Sequence, residues 1–204
     1  MVATKTLVSV EDYLDFEYKS EERHEYVSGE IRAMAYASEE HELIVANLVA
    51  ALHNCLQGSD CRVYPSNRML HVPECNRFYY ADVIVVCGKS EFYDYKKKMK
   101  ATLNPSVVIE VLSDSTEEND KDRKWKCYQK MKSLKQYILV SQHDVYLQSY
   151  QRISDLNEWL FTSADQKEQV IKIGDCEILL KDIYANVTID QSKKNDRKNS
   201  TRRR

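Results

Sequence analysis

Two carboxylates set inside otherwise apolar runs constrain this chain more than any other feature. Ala81-Asp82-Val83-Ile84-Val85-Val86 and Val107-Val108-Ile109-Glu110-Val111-Leu112 are aliphatic on both faces of any strand they form. An ionised carboxylate in such a place is costly unless it is paired or binds a cation. Two of them on neighbouring strands suggest a shared partner, and a hard divalent cation such as Mg²⁺, which takes one or two carboxylates and keeps its waters, fits oxygen donors best. The alternative is that each acid ends a strand and bonds to a nearby loop or arginine.

The flanking pattern alternates strands with helices. Ser9 is placed to cap a short helix over residues 9–19. Residues 25–34 read as two short strands around Ser28-Gly29. Ser38 opens a helix in which Leu43, Ile44, Leu48, Ala51, Leu52 and Leu56 recur at helical spacing before Gly58. Strands are expected over 62–72, 79–87 and 107–112, with a loop or short helix over 89–100. A helix is expected from Ser115 to Lys132, capped by Ser115 or Thr116 with Glu117 and Glu118 in its first turn. Strands at 136–140 and 145–152, one or two more over 170–180, and Ile183-Tyr184 complete the body. The order is α/β or α+β, and the 107–140 step is a right-handed parallel crossover if its strands share a sheet.

Composition narrows the class. With 204 residues, 43% apolar and 30% charged, the chain suits one globular domain, expected over residues 1–190. No apolar run nears the roughly 20 residues that span a bilayer, and the N-terminus lacks a signal-peptide core, so a cytoplasmic location is expected. The six cysteines show no C-x-x-C spacing for zinc; Cys87 and Cys127 are expected as small buried hydrophobes and disulfides are not expected. Residues 193–204 carry seven basic groups and one acid, leaving 23 basic and 31 acidic groups in the rest. The body is thus acidic, which argues against coating nucleic acid by bulk charge, and residues 191–204 read as a disordered basic tail able to grip nucleic acid weakly.

Lys124 adds a third charged group. Its neighbours at i+3, i+4 and i+7 are Cys127, Tyr128 and Met131, an inward stripe, so Lys124 shares the buried face. It either snorkels to water or points its ammonium at the strand carrying Glu110, where it would orient a water or stabilise charge on a phosphate.

Glu25-Tyr26-Val27-Ser28-Gly29-Glu30-Ile31, Ser38-Glu39-Glu40-His41, Tyr79 to Val86, Pro105 to Thr116, and Asp120 with Lys124 and Tyr128 together resemble the Uma-type restriction-endonuclease family of the PD-(D/E)XK superfamily. The resemblance runs from about residue 7 to 186. It implies a mixed central β-sheet flanked by α-helices and Mg²⁺-dependent hydrolysis of phosphodiester bonds, with Mn²⁺ as substitute and DNA as the expected substrate. It further implies that Asp82, Glu110 and the carbonyl of Val111 hold the metal and that Lys124 stands in for the motif lysine, whose place is taken by Leu112; Ala81 replaces the motif proline. Glu25 and Glu30 match early acids of the family, with Glu25 the one expected to help hold metal or water. His41 is expected to contact a phosphate or move a proton. Arg68 and Lys96 to Lys98 are candidate phosphate contacts. Restriction-type nucleases often pair, so a homodimer is expected by analogy. The rival reading is a non-catalytic nucleic-acid-binding or regulatory protein on the same scaffold.

Overall fold

The computed structural model describes residues 7–96, 99–113 and 123–189. Helix α1 (Val10–Lys19) is capped by Ser9, whose side chain accepts from the Asp12 amide. Strands β1 (His24–Val27) and β2 (Glu30–Ala33) form the expected hairpin. Ser28 and Gly29 at its tip both adopt positive φ, the geometry of a tight two-residue turn. A Cβ on Gly29 would meet Leu7 at 2.8 Å, so the close approach also requires glycine there. Helix α2 (Glu39–Cys55) begins at Ser38, which accepts from the His41 amide.

The run expected as one strand over 62–72 divides into β3 (Cys61–Pro65) and β4 (Met69–Val72). Pro65 has no N–H to continue a ladder, and a turn follows it, closed by Arg68 N–H on the Pro65 carbonyl at 3.1 Å. The run 79–87 also divides. Its first part belongs to β5 (Arg77–Tyr80) and its second is β6 (Val83–Cys87). These two strands lie in different sheets, and Ala81 and Asp82 make the crossing. Where a loop or short helix was expected over 89–100, β7 (Phe92–Tyr95) and β8 (Met99–Thr102) form an antiparallel pair. Next come β9 (Val107–Leu112), α3 (Trp125–Tyr128), β10 (Gln136–Ser141), β11 (Leu147–Arg152), β12 (Trp159–Ala164), β13 (Val170–Ile173), β14 (Cys176–Leu179) and α4 (Leu180–Ile183). The helix expected from 115 to 132 ends at Tyr128; its start and caps, with Asp120, lie outside the described residues, as do Lys97, Lys98 and the basic tail. Strand β12 was not legible as such, because its Leu160, Phe161, Thr162 and Ser163 are exposed and show no alternation.

The fold is α+β with a mixed central sheet, in the order β12-β11-β10-β9-β6-β3. Strands β9 and β10 run parallel through the crossover, while β6 and β9 are antiparallel. A second six-stranded sheet, β2-β1-β5-β4-β8-β7, supplies cover that helices were expected to provide. On one face of the central sheet Val107, Ile109 and Val111 pack with Ile44, Leu48 and Leu52 of α2 and with the β13–β14 hairpin. Each of those three α2 side chains is fully buried, contributing roughly 1.5–3 kcal/mol. On the other face Val108 and Leu112 pack with Leu70, Val72 and Tyr79 of the second sheet and with Cys127 and Tyr128 of α3. The outer face of the second sheet holds Tyr13 and Leu14 of α1 against Tyr26 and Phe78.

Three disulfides correct the expectation of free thiols: Cys55–Cys176, Cys61–Cys87 and Cys75–Cys127. Cys87 is exposed rather than buried, and Cys127 is buried but bridged. Local spacing could not reveal these pairs, because folding brings together cysteines 26 to 121 residues apart.

Candidate active site

The central ladder dictates where the two carboxylates meet. Val83 pairs with Ile109 across β6 and β9, and one residue beyond that pair the antiparallel register sets Asp82 opposite Glu110. Asp82 lies at the crossing between sheets, where the ladder has just ended and a side chain is free to accept a backbone donor. Its Oδ2 accepts from the Val111 N–H at 2.7 Å. The same oxygen lies 3.2 Å from His41 Nε2. His41 reaches it because the Ser38 cap fixes the first turn of α2 beside the crossing.

Glu110 is 2% exposed and faces α3. Its Oε1 accepts from Lys124 Nζ at 3.2 Å and from the Tyr128 hydroxyl at 2.9 Å. Lys124 is 4% exposed, and its Nζ also lies 3.0 Å from Glu25 Oε1 on β1. The ammonium therefore bridges two buried carboxylates from different sheets, with the Tyr79 ring 5.4 Å away. Burial foremost, then the Glu110 charge, pushes the Tyr128 phenol well above its ordinary range, so it stays a donor. Burial likewise pushes Tyr79 up, against the opposing pull of Arg77.

Glu25, His41, Asp82, Glu110, Val111 and Lys124 all line one cleft of 1140 Å³. Other proposed residues are elsewhere. Glu30 pairs with Arg32 at 3.0 Å. Arg68 lies over the rings of Tyr64 and Phe92, donates to Thr102 and is not among the residues lining this cleft. Lys96 pairs with Asp15 on the outer face. Three arginines line the cleft: Arg32, paired with Glu30, and two more. Arg23 precedes β1 and donates to the Ser66 carbonyl, and Arg123 adjoins Lys124. Neither interrupts an apolar run, so no local signal marked them.

Among the described residues, no three His, Cys, Asp or Glu side chains are grouped closely enough to form a ready metal cage. The carboxylates lining the cleft include Glu25, Asp82 and Glu110, and oxygen donors of this kind suit a hard cation that retains water better than zinc.

The profile of the Uma2 family, described as "putative restriction endonuclease", matches residues 10–176, and the chain belongs to that family. Two proteins of the cyanobacterium Synechocystis sp., sll1609 and slr1290, both of uncharacterised function, are each 31% identical to it. The first match covers 79% of this chain and 90% of the relative; the second covers 80% and 83%. A crystal structure described as a putative nuclease belonging to DUF820, from Anabaena variabilis, shares the fold with a TM-score of 0.71. That match spans 89% of this chain and 99% of the other at 12% identity.

Proposed function

We propose that this protein is a Mg²⁺-dependent endonuclease that hydrolyses phosphodiester bonds, with DNA as substrate and Mn²⁺ able to replace Mg²⁺. The observation that carries the reading is the buried Lys124 ammonium, bonded to Glu110 in the same cleft as Asp82. Held between Glu110 and Glu25, the ammonium puts positive charge on the cleft wall that a phosphate would meet. Asp82 and Glu110, with the Val111 carbonyl, would hold the metal. The Val111 N–H and His41 both meet Asp82 at Oδ2, which fixes how this carboxylate is held. When bound, the cation lowers the pKa of a water and screens the scissile phosphate. Lys124 orients the attacking water and offsets negative charge on the phosphate. Glu25 holds Lys124 in register, a role its 3.0 Å contact supports better than direct metal binding. His41 steadies Asp82 and lies where it can donate to a phosphate oxygen.

No helix of the described residues is long and apolar enough to cross a membrane. The reading takes the enzyme as cytoplasmic, where its bridged cysteines would stand as adjacent thiols and the fold must persist without the bridges.

The test is cleavage of double-stranded DNA, single-stranded DNA and RNA by the purified chain with Mg²⁺ or Mn²⁺. Asp82→Ala should lower the rate at least about a hundredfold. Binding without cutting, unchanged by Asp82→Ala and Glu110→Ala, would instead identify a non-catalytic nucleic-acid-binding protein.

A further inference from the structure

We infer that Tyr128 is a positioning residue that keeps Glu110 anchored when Lys124 turns to substrate. This inference rests on the nuclease reading above. Glu110 Oε1 has two donors, one on a flexible four-carbon stem and one on a ring. The Lys124 ammonium is shared between Glu110 and Glu25, so moving toward a phosphate would take it from at least one of them. A carboxylate as buried as Glu110 cannot lose its donors without cost, and its orientation would drift. Tyr128 is fully enclosed and cannot follow. Its ring meets Tyr79 at 5.5 Å and Tyr137 at 5.3 Å, both edge to face. Its neighbour Cys127 is buried against Cys75, so that turn of α3 packs on the segment after β4 whether the pair is bridged or reduced. The hydroxyl is therefore a stationary donor, and it keeps Glu110 Oε1 in place when the ammonium moves. The two donors divide the work: Tyr128 serves metal binding, and Lys124 serves the reaction.

The division is measurable in the full chain. Tyr128→Phe keeps the ring and removes only the hydroxyl. Calorimetric titration with Mn²⁺ should show affinity weakened about tenfold, the range for losing a group that orients a metal ligand. Raising Mn²⁺ should restore most of the single-turnover cleavage rate. Lys124→Met should show the opposite pattern, with Mn²⁺ affinity kept or improved and cleavage lost at every Mn²⁺ concentration. Thermal unfolding and near-ultraviolet dichroism check that both variants fold as the parent does; if Tyr128→Phe is less stable, the titrations and assays are run at a temperature where it and the parent are both folded. If the parent binds Mn²⁺ and cuts while Tyr128→Phe titrates identically, the inference is overturned and the nuclease reading stands. If the parent neither binds Mn²⁺ nor cuts any substrate, both fall together.

Discussion

At the scale of single residues, the structure separates ionisable groups that face the cleft from one that does not. His71 on β4 is buried, stacked flat on Phe78 with centroids 4.0 Å apart and edge-on to Tyr93. Its Nδ1 has no hydrogen-bond partner among the described residues. Burial lowers its pKa from 6.5 to about 4. Between those values the unfolded chain takes up a proton that the folded chain refuses, so stability rises with pH across the window and is lost as pH falls. The slope from this group approaches 1.4 kcal/mol per pH unit. Urea midpoints measured from pH 7 to 4.5 should fall, and His71→Phe should flatten that part of the decline. An equal decline in the variant would show that carboxylates alone govern it.

At the scale of elements, α2 does two jobs through one cap. The Ser38 hydroxyl accepts from the His41 amide at 3.2 Å and donates to Gln142 Oε1 at 3.1 Å. It thereby fixes both the start of the helix and the ring that meets Asp82. Ser38→Ala should lower unfolding free energy by about 1 kcal/mol. It should also weaken cleavage, because the His41–Asp82 contact depends on that first turn. Ser38→Asp, which caps equally well, should recover the stability; failure to recover it would assign the loss to Gln142 instead. The α3 region is held differently. Arg152 on β11 donates to the carbonyls of Gln129, Met131 and Leu134 and lies over Trp159, closing the turn that follows the short helix. These bonds hold the C-terminal end of α3, the element that carries Tyr128 and adjoins Lys124.

At the scale of the whole molecule, two of the three disulfides join elements that the sheets do not. Cys55–Cys176 ties α2 to β14 across 121 residues, whereas Cys61–Cys87 joins strands already paired, 26 apart. Loop-closure entropy assigns about 5 kcal/mol to the first and about 3.5 to the second. Chemical unfolding with and without a dithiol reductant should therefore show a drop, and Cys55→Ser should reproduce more of it than Cys61→Ser. A chain that loses its sheet signal altogether on reduction would contradict the cytoplasmic part of the functional reading.

The chain's own order of residues determined much of this. Ser9 and Ser38 cap helices as their local chemistry demands, Ser28-Gly29 turns as its backbone freedom allows, and the inward stripe of Lys124, Cys127, Tyr128 and Met131 is buried throughout. The lone acids in apolar runs marked Asp82 and Glu110, because an uncompensated charge among aliphatic neighbours is conspicuous without coordinates. Tertiary structure alone decided the rest. The run 79–87 looks like one strand but crosses between two sheets at Asp82, a choice made by which partner strands are available. Glu25 became the counter-charge of Lys124, and Arg68 was withdrawn into aromatic packing, because those contacts join segments far apart in the chain. Hydrogen bonding along the backbone and side-chain spacing are short-ranged and can be read locally; pairing between distant segments depends on the packing of the whole, and no window of sequence contains it.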